Sequence, residues 1–354
     1  MDTNILPIAI WKGGNLLGYT IYDIARLANV SKSTVSRVLN NQTNISPEAR
    51  ERVMKAVEQL NYHPSKLARS LSTGFDAIMV MSRSARTTAD NPFFADILQT
   101  ISEKAEEENF DVILQTAKNS ADELEKCISK IKEKMIKGII MLSSPANEDI
   151  CKQLDLFQIP IVVIGKVEGQ YQNIYSVDTD NYQNSYDLTK HLINQGHKEI
   201  ACLHAPLGYH VSVDRLEGYK ACMKDHGLSC KKDWNLDSGY TIETGMMTAK
   251  KLLSASQKPT AVFATDDMKV LSVYKAAAEL SISIPKDLSI VGYINSQYGL
   301  FLSPTLTSFE IPVRKLGEAG VSILFSKIKN QEEPPARTII KTKEVIRESV
   351  LKRN

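Results

Sequence analysis

The stretch Tyr19-Thr-Ile-Tyr-Asp-Ile-Ala-Arg-Leu-Ala-Asn-Val-Ser-Lys-Ser-Thr-Val-Ser-Arg-Val-Leu-Asn40 is the point from which the rest of the chain is read. Its apolar residues Ile21, Ile24, Ala25 and Ala28 recur at helical spacing, and Asn29 interrupts them. Ser31 then caps a second helix whose Val35, Val38 and Leu39 face the same small core. Lys32, Ser33, Thr34 and Arg37 are left on the outside. A helix that enters the DNA major groove is written this way, because large side chains in its first turn would hold it away from the base edges. Arg37 reaches either a guanine O6/N7 pair or a phosphate, and only the first carries sequence information. For so short a stretch, a surface helix with ordinary charges is the alternative.

The residues that follow favour the DNA reading. Ser46-Pro-Glu-Ala49 places a capping Ser before Pro at the first helical position, and Val53, Ala56, Val57 and Leu60 supply the stripe of a third helix. In Asn61-Tyr-His-Pro-Ser-Lys-Leu-Ala-Arg-Ser-Leu71, Pro64 ends one element and Ser65 caps another before the Ser72-Thr73-Gly74 break. A helix that short forms only when something packs against it. From Tyr19 to Phe75 the chain carries eight Lys and Arg against four Asp and Glu, an excess of four, whereas the whole chain is only +2. The phosphate-binding charge is thus concentrated in a small head, whose affinity should fall steeply with salt.

A length of 354 residues and a 43% hydrophobic fraction imply more than one domain and a sizeable core. No segment is long and apolar enough to span a bilayer, and Ile5 to Trp11 is too short for a signal-peptide core. Five cysteines, Cys127, Cys151, Cys202, Cys222 and Cys230, show no Cys-x-x-Cys pairing, which points to reduced thiols in the cytoplasm and to neither zinc nor disulfides. No phosphate loop or His-Glu-x-x-His pair is present, and the sequence implies no cofactor. Asp266-Asp267 is a carboxylate pair, but adjacent residues after a strand point in different directions, so Asp267 is read as a helix cap and no enzyme site is assigned.

From Phe75 onward, short apolar runs alternate with longer amphipathic stretches. Ala77 to Met81, Asp111 to Leu114, Gly138 to Leu142, Ile161 to Ile164, Ile200 to Leu203, Ala261 to Ala264 and Leu288 to Gly292 read as buried strands, with helices such as Ala95 to Asn109 and Ala121 to Lys134 between them. The repeats exceed one sheet, so two doubly wound lobes with a cleft between their strand ends are expected.

Taken together, the helix-turn-helix, the third helix, Leu60-Asn-Tyr-x-Pro and Leu67-Ala-Arg-Ser-Leu71 resemble the headpiece and hinge of the lactose-repressor/galactose-repressor family of bacterial transcriptional regulators. The body resembles the family's effector-binding core through Asn91-Pro-Phe-Phe94, Asp180-Asn-Tyr182, His191-Leu-Ile-x-x-Gly-His197, Arg215-Leu-x-Gly-Tyr219, Pro259 to Asp267, Gly292-Tyr293 and Ser303-Pro-x-Leu-Thr-Ser308. The resemblance implies an α/β fold, with an all-α helix-turn-helix headpiece and a two-lobed periplasmic-binding-protein-like core of doubly wound parallel sheets. Its implied boundaries are a headpiece over 19–63, a hinge over 64–74 and a core over 75–354, with lobe one about 75–177 plus 309–331 and lobe two about 179–308 plus 334–354. Its partners would be a palindromic double-stranded operator, a small sugar and a second copy of the chain; a phosphocarrier protein is the partner under an alternative, global-regulator reading.

Carried over residue by residue, the resemblance assigns DNA contact to Thr20, Tyr22, Ser31, Lys32, Ser33, Thr34, Arg37, Asn40, Ala68 and Leu71. In the family, paired hinge helices lie in the minor groove, and a Leu at the position of Leu71 wedges between base pairs; an apolar wedge unstacks a step at a cost offset by the contacts that bending permits. Effector contact falls to Phe93, Phe94, Lys166, Asp180, Arg215 and Asp266. Aromatic faces suit a sugar's C–H surface, and planar charged groups suit bidentate hydroxyl contacts. Each has a structural alternative: the two Phe can close the lobe core, Asp180 can cap a helix, Arg215 can brace the lobes and Lys166 can be a solvated loop lysine. Where the family commonly has an effector-binding Asp after Gly292-Tyr293, this chain has Ile294 and then Asn295, which either takes the polar role or weakens that contact. Ile161-Val-Val-Ile-Gly-Lys166 and Val177-Asp-Thr-Asp-Asn181 are similar to maltose-operon repressors of Gram-positive bacteria, which makes maltose or maltodextrin the favoured effector.

Residues 1–18 precede the point at which the family usually begins and lack capping logic, so they are read as a disordered or untranslated extension. Lys12-Gly13-Gly14 is compatible with a purine-rich ribosome-binding sequence and Leu16 or Leu17 with a TTG start codon. The native protein's intact mass should then correspond to a start near Leu17; a mass that includes Met1 to Gly18 refutes this.

Overall fold

Two units make up the chain, Met1–Phe75 and Asp76–Asn354, and the computed structural model describes residues 19–39, 42, 44–62, 75–83, 92–146, 148–294, 299–331 and 333–353. In the first unit α1 (Ile21–Ala28), α2 (Lys32–Leu39) and α3 (Pro47–Gln59) close around Ile24, Ala25, Ala28, Val35, Val38, Val53 and Ala56. Asn29 ends α1 in the left-handed region at φ 52°, which its short polar side chain tolerates. Ser46 Oγ accepts the Ala49 N–H at 3.3 Å, with Pro47 in the first position of α3. Arg50 of α3 donates to the Gln42 carbonyl at 2.6 Å, which ties α3 to the segment after α2.

The second unit contains two six-stranded sheets. The first comprises β1 (Ala77–Arg83), β2 (Asp111–Ala117), β3 (Gly138–Met141), β4 (Ile161–Ile164), β5 (Ile174–Asp178) and β11 (Arg337–Ile339), all parallel, in the order β11-β5-β4-β3-β1-β2. The second comprises β6 (Ile200–His204), β7 (Asn235–Asp237), β8 (Ala261–Ala264), β9 (Ser289–Ile294), β10 (Thr307–Glu310) and β12 (Lys343–Val345), in the order β12-β10-β9-β8-β6-β7. Only β12 runs antiparallel, against β10.

Side-chain alternation explains why both faces are covered. On β1, Ile78 and Val80 join Ile140 and Val162 beneath α4 (Pro92–Glu107) and α11 (Val313–Ile328), while Met79 and Met81 join Ile139 and Ile161 beneath α5 (Ser120–Lys132) and α6 (Glu148–Asp155). In the second sheet Cys202, Phe263 and Val291 face α7 (Asn181–Asn194) and α8 (His210–Asp225). Leu203, Val262 and Ile290 face α9 (Ile242–Leu253) and α10 (Asp267–Glu279). Strands buried on both faces are written as continuous apolar runs, which is how they are legible in the sequence.

The chain passes between the lobes three times: from Asp178 to Asn181, from Glu310 to Val313 and from Ile339 to Lys343. The expected lobe limits shift accordingly. Phe309 and Glu310 belong to the second sheet rather than to lobe one, and Arg337–Ile339 extends the first sheet rather than lobe two, by pairing with Ser176–Asp178. A three-residue edge strand buries too little to leave an apolar run, so its side of the crossing is invisible to patterning. The five cysteines are free thiols, four of them buried, and burial pushes the Cys127 thiol up to about 12. Among the described residues, no helix is long and apolar enough to cross a membrane.

Candidate functional site

In the first unit the outward face of α1 and α2 is organised by its own polar groups. The Thr20 backbone N–H and hydroxyl both donate to Asp23 Oδ2, at 2.9 and 2.8 Å, and hold the Asp23 carboxyl below the usual carboxylate range. Ser31 Oγ accepts the Thr34 N–H at 3.1 Å and lies 2.7 and 2.8 Å from the Ser33 and Thr34 hydroxyls. Thr20 and Ser31 thus start their helices. Lys32 Nζ donates to the Tyr22 hydroxyl at 3.2 Å and stands 4.8 Å from the Tyr22 ring centroid, which brings two of the expected DNA-facing residues together across the turn. Lys32, Ser33 and Arg37 are exposed, and Tyr22 is 65% exposed although large and aromatic. Asn40, Ala68 and Leu71 lie outside the described residues.

In the second unit a cavity of about 410 Å³ opens between the lobes. It is bounded by Ser143 and Gly165 beyond β3 and β4, by Asp178 at the end of β5 with Thr179 and Asn181 after it, and by Thr265 to Lys269 beyond β8, together with Phe93 and Phe94 of α4, Arg215 of α8 and Tyr293 of β9. Carboxyl ends of parallel strands are where doubly wound sheets leave a crevice, because the chain there leaves toward opposite faces.

Arg215 is held on three sides. Its Nε donates to Asn181 Oδ1 at 2.9 Å, its Nη1 donates to the Thr265 carbonyl, and its guanidinium lies 3.8 Å from the Tyr293 ring centroid. Tyr293 is fixed in turn: its hydroxyl lies 2.8 Å from Ser185 Oγ and 3.1 Å from the Asn181 carbonyl, and burial pushes the phenol up to about 12. The approach of α8 to α7 depends on Gly218, where a Cβ would fall 2.2 Å from the Tyr182 carbonyl oxygen. That accounts for the glycine in Arg215-Leu-x-Gly-Tyr219.

Asp266 lines the cavity and caps α10, with Oδ1 accepting the Lys269 N–H at 3.1 Å and Oδ2 lying 3.2 Å from Lys269 Nζ. The expectation that Asp267 is the cap is therefore corrected: Asp267 is the first helical residue, and Asp266 has the extended backbone that a cap requires. Lys269 is 1% exposed and also donates to the Gly239 carbonyl at 2.6 Å.

Two of the expected effector residues stand elsewhere. Asp180 is exposed and caps α7, accepting the Gln183 N–H at 2.9 Å; Asp178, two residues earlier, lines the cavity instead. Lys166 does not line the cavity, and its Nζ pairs with Glu168 Oε1 at 2.9 Å and Asp214 Oδ1 at 3.2 Å. Asn295 lies outside the described residues. Phe93 and Phe94 line the cavity with ring centroids 5.4 Å apart, edge to face, while also packing on the lobe-one core.

Patterning missed Asp178, Ser143, Thr265, Tyr209 and Tyr240, all of which line the cavity. The available signal was an acidic residue ending the buried run Ile174-Tyr-Ser-Val-Asp178. The hydroxyl oxygens of Ser143 and Thr265, one from each lobe, are buried and find no hydrogen-bond partner among the described residues. Buried hydroxyls are rarely left so unless something else satisfies them.

Asp178 is 8% exposed, and its Oδ1 accepts from the Thr179 N–H at 2.8 Å and Asn181 Nδ2 at 3.0 Å. Burial pushes its carboxyl up to about 6, against the opposing pull of the Thr179 N–H and Arg215. The folded body favours the protonated acid, so this contribution to stability is complete below the ordinary range near about 4 and is lost as pH rises through about 6. Asp178→Asn should remove that decline from a plot of unfolding free energy against pH; an unchanged slope between about pH 4 and 6 contradicts it.

Residues 20–65 match the family described as bacterial regulatory proteins, lacI family, and residues 189–350 match a periplasmic binding protein-like domain. The HTH-type transcriptional repressor PurR of Vibrio vulnificus is 31% identical over 338 residues, covering 95% of this chain and 99% of its own. A solved complex of the transcriptional regulator CelR with cellobiose aligns with a TM-score of 0.70 at 26% identity, over 94% of this chain and 99% of the other. The lac repressor dimer bound to operator and the anti-inducer ONPF aligns with a TM-score of 0.81 over 95% and 100%, a likeness of fold at 22% identity.

Proposed function

Because the chain belongs to the lacI family of bacterial regulatory proteins, we propose that it is a dimeric repressor whose hold on a palindromic operator is set by a small sugar in the interlobe cavity. It is a DNA-binding transcriptional regulator rather than an enzyme. The observation that carries the sugar reading is the cavity's polar inventory. Protein groups hold Arg215 and Lys269 in place and answer part of their charge, while the Ser143 and Thr265 hydroxyls, one from each lobe, have no partner among the described residues, in a cavity that Phe93 and Phe94 also line. Apolar walls with a few convergent polar groups suit an uncharged polyhydroxylated ring, and about 410 Å³ is within the usual range for small-ligand sites.

A ligand that binds one arrangement of the lobes better than another shifts the affinity for DNA by the same coupling free energy. Lys32, Ser33 and Arg37 read a half-site, Ala68 and Leu71 contact the minor groove where the two subunits' hinges pair, with Leu71 as the wedge, and a DNA target suits a cytoplasmic protein. The relative solved with cellobiose supports a carbohydrate as the ligand class. Maltose or maltodextrin is the finer assignment and rests on the residue resemblance around Ile161 to Lys166 and Val177 to Asn181. Global regulation through a phosphocarrier protein draws no support from these relatives. Titration calorimetry of the full chain with maltose, maltotriose, cellobiose, ribose and glucose tests the reading: one of them should bind with one site per chain, and heat from none of them overturns it.

A further inference from the structure

The lobes touch at a place distinct from their three crossings. The loop after β3 and the start of α8 exchange backbone hydrogen bonds: the His210 N–H donates to the Ser144 carbonyl at 3.1 Å, and the Ala146 N–H to the Gly208 carbonyl at 3.2 Å, around a bridge between Pro145 and Tyr209. Ser144 Oγ also donates to the Lys166 carbonyl, so this loop is fastened to the end of β4. There the Lys166 side chain reaches across to Asp214 of α8, and Glu168, its second partner, lies 4.0 Å from His210 Nδ1. The Lys166 and Asp214 side chains are only 25% and 17% exposed, so their attraction is less screened than that of a surface pair. Asp214 directly precedes Arg215.

We infer that Lys166 and Asp214 form an ion-pair latch that holds the lobes together at the cavity, with Lys166 a positioning residue that acts on Arg215 through α8. The inference rests on the sugar reading for its consequence and not for its geometry. An ammonium on lobe one and a carboxylate on lobe two can satisfy each other only while the lobes are close. Separation returns Asp214 to water, leaves Lys166 with Glu168 of its own lobe, and releases the Ala146 and His210 amides together.

Those two amides supply the measurement. In hydrogen exchange on the full chain without sugar, Lys166→Met and Asp214→Asn should each speed exchange at Ala146 and His210 roughly three- to tenfold, with amides inside β8 unaffected. The double variant should be no faster than either single one, because both remove the same interaction. Lys166→Arg, which keeps the cation, should stay near the parent rate. Unchanged exchange, or single effects that multiply in the double variant, overturns the latch. Maltose dissociation, followed in the same variants, should accelerate by a similar factor. If the parent binds no maltose, the maltose assignment falls, while the exchange comparison still decides the latch by itself.

Discussion

Replacing Arg215 by Ala should leave operator binding in place and abolish its response to sugar. The guanidinium is fixed by Asn181, the Thr265 carbonyl and the Tyr293 ring, so a sugar in the cavity would meet it already oriented and it would lose little freedom on binding. Charge-assisted hydrogen bonds of this kind contribute about 1.5–3 kcal/mol each, so sugar affinity should fall roughly a hundredfold or more. The headpiece residues that grip DNA belong to the other unit and keep their own core of Ile24, Val35 and Val53. Anisotropy titration of labelled operator with and without sugar checks the outcome. Arg215→Lys keeps the charge but not the fork, and should recover only part of the response. A full sugar response in Arg215→Ala removes Arg215 from the site.

The second large effect is expected at Leu71. Leu71→Ala should weaken binding to the specific operator by about tenfold or more, with little change on random DNA. Phosphate contacts supply nearly all nonspecific affinity and are untouched, whereas a wedge acts only where the duplex is bent. The head's excess of four basic residues should keep the salt dependence of both complexes nearly parallel to that of the parent. Equal losses on operator and random DNA would sink the wedge assignment.

How much of this was legible depends on what kind of force holds each part. Strands such as Ala77 to Met81 and Ala261 to Ala264 are buried on both faces, and nothing but a run of apolar residues can be written there. The caps at Ser31 and Ser46 were equally readable, since a helix start needs a side-chain acceptor at a fixed offset. Site residues were less so. Asp178 and Asp180 differ by two positions, and only the path of the chain out of β5 decides that the first faces the cavity while the second caps α7. Lys166 has the composition of an effector contact, yet Asp214 captures it from a helix 48 residues away in sequence. Ser143 and Thr265 are common residue types that stand out only because their buried hydroxyls have no partner among the described residues, a property of three-dimensional packing alone.

Mobility shifts on DNA upstream of this chain's own gene and its neighbours, run against the same panel of sugars, test most directly whether a ligand in the interlobe cavity controls the grip of the headpiece. One fragment should be retained in preference to random DNA, and one sugar should change its apparent affinity by roughly five- to 150-fold, as a coupling of about 1–3 kcal/mol requires. The Arg215→Ala protein should retain the same fragment without that change. Specific retention that no sugar alters, or an identical shift in the Arg215→Ala protein, would contradict the account.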